Sequence, residues 1–238
     1  MDARQSISSF PVIRAYTAPF NFDQIINQHC IEVLPGLLRT SLDPQNTLSS
    51  SIFHLIAAFS FDPMLRPKYT FTGRVHRGLT MNADYIRTFK RNELVLNRIF
   101  ISTFRNIQLA NRSIGFDQSN QFRLRQSRDF LQAAVRITYQ INRPETRAIN
   151  ITNMSAYSPN EEEILLMPIS VFRIVDIRSD ANGLHFDVIL EDCELPTKDD
   201  SLAPIIRCDF AEFPDRPLFV PTIQVEKNTR IQSILIPL

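Results

Sequence analysis

Glycine is scarce in this sequence: five residues in 238, alongside three cysteines and no tryptophan. A GxGxxG dinucleotide turn needs three glycines within six residues, because only glycine lets the backbone approach a pyrophosphate so closely. Gly36, Gly73, Gly78, Gly115 and Gly183 cannot supply one. Gly73 and Gly78 have the outer spacing of a phosphate loop. GRVHRGLT, however, puts Leu79 where that loop's lysine would stand and Thr80 where its magnesium-binding hydroxyl would be, so this class is discarded. Cys30, Cys193 and Cys208 include no CxxC pair, and His29, His54, His76 and His185 form no HExxH or HxH. A disulfide framework, a zinc cluster and a histidine-based metal site are therefore not expected. Cys30 beside His29 does not make a thiol nucleophile, since neighbours on a helix point in different directions; it reads as a buried structural cysteine. No run of about 18 apolar residues exists, and MDARQSISSFPVIRAY lacks the apolar core of a signal peptide. The expectation is a cytoplasmic chain in a reducing compartment with no membrane contact, delivery into another cell being left open.

What is present is ordinary in bulk, 44% apolar and 21% charged, enough for one large domain or one domain with an extension. The net charge of +1 conceals an asymmetry: residues 85–150 hold 12 Lys or Arg against 4 Asp or Glu, and the acidic excess lies elsewhere. Arginine dominates the basic residues, and its fork suits phosphate or carboxylate. A solvated basic face is the preferred reading over a nucleic-acid groove, and no nucleic-acid partner is expected; a small anionic ligand or an acidic protein fits the same field.

The first sixty residues read as helical. Phe22, Ile25, Ile26, Cys30, Ile31 and Leu34 recur at helical spacing after Asn21 and Asp23, and Pro35-Gly36 ends that helix. A second helix is expected through SSSIFHLIAAF. From residue 69 the period changes to two. TFTGRVHR, NRIFISTF, AAVRITYQI, RAINITNMS, EEILLMP, SVFRIVDI and GLHFDVILED read as strands, with short helices near NADYIRTF and NIQLANRS. Helices followed by many strands indicate an α+β fold. A boundary is expected at LPTKDDSLAP, giving a main domain over residues 1–195 and a β-rich extension over 196–238, which is either a subdomain or added strands of the main sheet.

Three short patterns stand out on three strands. In FTGRVHRGL, alternation sets Phe71, Gly73, Val75 and Arg77 on one side, so an arginine ends on an apolar face and needs an anionic partner, structural or ligand. In IFISTF, Ser102 lies between Phe100 and Phe104 on one face. In AYSPNEEEILLMP, alternation points Glu161 and Glu163 the same way at the margin of an apolar strand, where like charges shift each other's protonation.

In this order the patterns resemble the Arg-Ser-Glu class of ADP-ribosyltransferases, and within it the arginine-directed mono-ADP-ribosyltransferases. The matching residues are HRG at 76–78, FIST at 100–103, Ser155-x-Tyr157 followed by EEEILLMP at 161–168, and GLHFDVILED as a closing strand. The resemblance implies N-terminal helices followed by a split β-sandwich around an NAD cleft. It implies that NAD is a substrate, that no metal is needed, and that ADP-ribose passes to an unidentified acceptor protein. By resemblance Glu163 faces the oxocarbenium-like ribose, Arg77 holds the pyrophosphate or adjoining ribose, Ser102 orients the ribose and Glu163, and Gly78 offers backbone to the nicotinamide. Glu161 and Tyr157 would contact the acceptor, with arginine the implied target. Phe104 departs from the family's usual hydroxyl residue and would either stack on nicotinamide or fill part of the pocket. NAD hydrolysis and a catalytically degenerate nucleotide- or protein-binding module are the alternatives.

Overall fold

The computed structural model describes residues 10–18, 23–28, 30, 65, 68–114, 131–144, 148–156 and 161–194. It adds three C-terminal strands as backbone. The helix expected at SSSIFHLIAAF and the site residue Tyr157 lie outside the described residues.

The chain opens with a helix at Phe10–Thr17, followed by helical residues 23–28. Strands follow at Gly73–Asn82 (β1), Leu94–Asn97 (β2), Ile101–Phe104 (β3), Gln132–Ile141 (β4), Ala148–Asn150 (β5), Glu163–Leu166 (β6), Ser170–Ser179 (β7) and His185–Asp192 (β8). The short helices Ala83–Arg87 and Ile107–Ser113 fall where NADYIRTF and NIQLANRS placed them. Asn82 and Asn106 cap them: Asn82 accepts from the amides of Asp84 and Tyr85, Asn106 from that of Gln108. The tail contributes Ile206–Cys208 (β9), Thr222–Val225 (β10) and Ile231–Ile234 (β11).

These strands form one hydrogen-bonded sequence of neighbours, β11-β10-β9-β2-β7-β8-β4-β1-β3-β6-β5. The tail joins it through β9, parallel to β2, so its strands extend the main sheet. The fold is α+β, as expected. Period-two burial explains the centre: Val75 and Leu79 on β1, Val135, Ile137, Tyr139 and Ile141 on β4, and Phe186, Val188 and Leu190 on β8 turn to one face and are buried. Tyr139 meets Phe172 of β7 edge to face, centroids 5.1 Å apart. Each fully buried side chain of this size contributes about 1.5–3 kcal/mol. Cys30 is likewise buried in the core, as the sequence suggested.

Five of the twelve basic residues of 85–150 pair with carboxylates within the fold. Arg87 pairs with Asp84, Arg91 with Asp176, Arg105 with Glu162, Arg136 with Asp187 and Arg143 with Glu194, each carboxylate coming from outside that stretch.

NRIFISTF, expected as one strand, holds β3 and only the last residue of β2, with residues 98–100 in neither. Asn97 breaks it: its Nδ2 donates to the Met167 carbonyl at 2.9 Å, its Oδ1 accepts from the Ile99 amide at 3.2 Å, and its own carbonyl accepts from the Ile169 amide at 2.7 Å. This knot ties the β2–β3 corner to the β6–β7 corner and holds Ile169 at φ 64°, a costly conformation for a β-branched residue. Asn97 is 2% exposed, so truncation strands buried polar groups. Asn97→Ala should lower unfolding stability by about 2–3 kcal/mol. A urea midpoint that barely moves would show that the corners hold without it.

Candidate active site

The three patterns read from the sequence lie on three consecutive neighbours, β1, β3 and β6. β3 and β6 pair antiparallel with Phe104 opposite Glu163 and Ser102 opposite Leu165. The Ser102 hydroxyl donates to Glu163 Oε1, and the Ser155 hydroxyl donates to Oε2. Glu163 is 1% exposed, and both its carboxylate oxygens are held by serines from opposite sides. Thr103, on the reverse face of β3, donates to the Ile164 carbonyl at 2.7 Å and fixes the register that brings Ser102 to the glutamate.

Burial pushes the Glu163 carboxyl above its ordinary range. The Ser102 and Ser155 hydroxyls pull it part of the way back, and the neighbouring charge of Glu161 raises it again. The two glutamates thus interact, although the alternation argument for them fails. Glu161 and Glu162 precede β6, and Glu162 sits at φ 45°, in the left-handed region, which breaks the period of two between Glu161 and Glu163. Arg105 holds that turn: its amide donates to the Glu162 carbonyl at 3.3 Å, and its guanidinium, lying over the Phe71 ring, pairs with the Glu162 carboxylate at 3.4 Å.

Arg77 lies between Val75 and Leu79 on the buried face of β1, as alternation required. Among the described residues it forms no ion pair, and its charge acts on Tyr16. Burial drives the Tyr16 phenol far above its usual value, while a hydrogen bond from Asn27 and the Arg77 charge oppose this. The Tyr16 hydroxyl donates to the Phe100 carbonyl at 2.9 Å, and Asn27 both donates to that carbonyl and accepts from the Phe100 amide. The N-terminal helices thus grip the residue that leads into β3. Next along, Thr17 Oγ1 accepts from the Ala156 amide at 2.8 Å, adjacent to Ser155.

Ser155, Tyr16, Thr17 and Asn27 were given no role by sequence reasoning. Ser155 lies in the Ser155-x-Tyr157 pattern, but no local pattern announces a hydroxyl that must reach across a turn. The last residues of an eight-residue helix carry no signal of a partner 139 positions away.

Packing alone gives Gly78 a reason to lack a side chain. A methyl there would lie 2.0 Å from the Ala110 carbonyl oxygen, 2.6 Å from Ser113 Oγ and 2.9 Å from Ile114 Cγ2. The space on its side-chain face is filled by the helix Ile107–Ser113, whose Ser113 hydroxyl lies 3.2 Å from the Gly78 carbonyl. Phe104 is half-buried on β3 opposite Glu163. Among the described residues no group of three or more His, Cys, Asp or Glu side chains stands together.

No family model matches the sequence, and no curated protein sequence matches it. Its structure resembles the Vis toxin, an ADP-ribosyltransferase from Vibrio splendidus, with a TM-score of 0.55 at 15% identity over 84% of this chain and 77% of that one. C3stau2 from S. aureus, solved with NAD, aligns over 79% of this chain and 87% of its own at 12% identity and a TM-score of 0.49. The Clostridium limosum C3 exoenzyme aligns over 80% and 86% at 14% identity, also with a TM-score of 0.49. The likeness to Vis carries the assignment of fold: the chain has the ADP-ribosyltransferase fold.

Two outcomes follow from this geometry. Gly78→Ala should cost about 3 kcal/mol through overpacking, because a backbone oxygen cannot rotate away; an unchanged denaturation midpoint would show that the helix yields freely. Because the Glu163 carboxyl is raised in the folded chain, its contribution to stability is present at low pH and is lost as pH rises through the folded value. Glu163→Gln should therefore melt higher than wild type near neutral pH, with the gap closing below about pH 4, where the unfolded carboxyl is protonated too. A gap that is constant with pH would contradict this.

Proposed function

We propose that this chain is a mono-ADP-ribosyltransferase that cleaves NAD between nicotinamide and ribose and transfers ADP-ribose to a protein arginine. The observation that carries the reading is Glu163: a fully buried carboxylate, gripped by two hydroxyls and flanked by Glu161, in a chain with this fold. A buried charge at such cost needs a purpose, and stabilising developing positive charge is one that a desolvated carboxylate serves well.

In the proposed reaction the glycosidic bond breaks, nicotinamide leaves with the electron pair, and the ribose acquires oxocarbenium character. Glu163 faces that charge and accepts a ribose hydroxyl hydrogen bond, while Ser102 keeps its carboxylate aimed. Arg77, a cation on an apolar face without a carboxylate partner among the described residues, is assigned the pyrophosphate or adjoining ribose. The half-buried Phe104 ring, opposite Glu163, is assigned the nicotinamide plane. Backbone contact from Gly78 stays part of the reading, although packing against the helix already accounts for the glycine. The acceptor guanidinium then attacks the ribose carbon, a carbon–nitrogen bond forms, and Glu161 accepts the proton released. Tyr157 is assigned to the acceptor side.

Nicotinamide release from NAD tests this. Glu163→Ala should reduce release by about 10²-fold or more, and equal turnover in that variant would sink the assignment. Glu161→Ala should keep NAD cleavage but lose modification of a small guanidine acceptor. Cleavage without any guanidine product in wild type would make the chain an NAD glycohydrolase. Binding of NAD without consumption would make it a binding module.

A further inference from the structure

We propose that Ser155 and Thr17 are positioning residues for Glu163: the end of the N-terminal helix sets the catalytic carboxylate by holding the turn that carries the second serine. This rests on the reading of Glu163 as the reacting carboxylate, and it adds a device that the Arg-Ser-Glu pattern does not contain.

The geometry is a chain of direct contacts. Ser155 donates to Glu163 Oε2, the oxygen that Ser102 leaves open. The turn bearing Ser155 is fastened twice. At its base the Ile151 amide donates to the Glu163 carbonyl at 3.0 Å, and the amides of Met154 and Ser155 both donate to the Ile151 carbonyl at 2.8 Å. At its top the Ala156 amide donates to Thr17 Oγ1 at 2.8 Å, while the Thr17 hydroxyl donates back into its own helix, 3.1 Å from the Ile13 carbonyl. Thr17 is 4% exposed, so its hydroxyl has little access to water in place of these partners. The base holds the start of the turn, and the top holds the peptide next to Ser155.

The consequence for Glu163 is electrostatic. A hydroxyl donor stabilises the ionised carboxylate, so losing Ser155, or letting it drift, makes the glutamate hold its proton to higher pH. The surroundings contain few other charges. Glu161 acts on Glu163 from the turn ahead of β6 and raises it further. Glu162 is turned to Arg105 at the end of β3. Arg77 on β1 and Tyr16 on the helix interact with each other. β5 and residues 151–156 bring no titratable side chain. The two serines are therefore the groups that lower the Glu163 carboxyl.

The test is the pH dependence of kcat and KM for nicotinamide release, measured on wild type, Ser155→Ala, Thr17→Val and Thr17→Ser. Both Ser155→Ala and Thr17→Val should lower kcat by about tenfold near neutral pH through misalignment of the carboxylate. KM should stay within about twofold. The acidic limb should move to higher pH, so the deficit shrinks as pH rises, and Thr17→Ser should restore the wild-type profile. A deficit that is constant with pH and follows only a lowered Tm would assign both residues a merely structural role and overturn the proposal. A shift in Ser155→Ala alone would overturn it for Thr17. If wild type releases no nicotinamide at any pH, the underlying reading fails. The coupling is then read without activity: the pH above which the stability gap between Glu163 and Glu163→Gln stops growing should be higher in a Thr17→Val background, and an unmoved value overturns the inference.

Discussion

The site depends on one buried carboxylate. Glu163 begins a strand whose next three residues are wholly apolar, and it is nearly as hidden as they are. A charge in such a place survives only with donors on both oxygens, and those donors come from strand β3 and from the turn at residues 151–156. Much of the surrounding structure can be understood as the means of bringing the two serines there. Thr103 locks the β3–β6 register, Asn97 breaks the preceding strand at the right residue, and Asn27 and Tyr16 seize both backbone groups of Phe100.

The energetic bookkeeping is local and adverse. Three non-glycine residues adopt left-handed backbone: Asn92, Glu162 and Ile169. Two of them bracket β6, one just before Glu163 and one shortly after Met167. Each conformation of this kind costs on the order of 1–3 kcal/mol and is held by surrounding contacts, here the Arg105 pair at one end and the Asn97 knot at the other. The strand carrying the glutamate is thus suspended between two strained corners, which defines where it starts and stops.

Alternation along β1, β4 and β8 made the core and the position of Arg77 readable in the sequence, because a face buried against other elements leaves a period of two. The two short helices were also readable where they fall, and the structure shows Asn82 and Asn106 capping them. The coupling of Glu161 to Glu163 was legible, but the strand periodicity used to argue it does not reach residues that precede the strand, and a positive φ at a glutamate has no compositional mark. The packing role of Gly78 was not legible because a missing side chain can serve a ligand, a neighbouring helix or both, and only the placement of Ile107–Ser113 reveals the second. Ser155 and Thr17 were invisible in a stronger sense. Their meaning lies in a contact between distant segments, and no window of sequence contains both partners.

That separation bears on when the chain becomes complete as it folds. The bond between Thr17 and Ala156 closes across 139 residues, and the pair at Ser102 and Glu163 across 61. Contacts of such span are reached late, after the chain entropy of the intervening segment has been given up. A partly unfolded chain can therefore possess the β7–β8 hairpin and the pairing of β1 with β4 and still lack the Thr17–Ala156 contact. Competence at this site then belongs to the finished molecule as a whole, and a proteolytic cut near residue 17 would remove it while sparing most of the sheet.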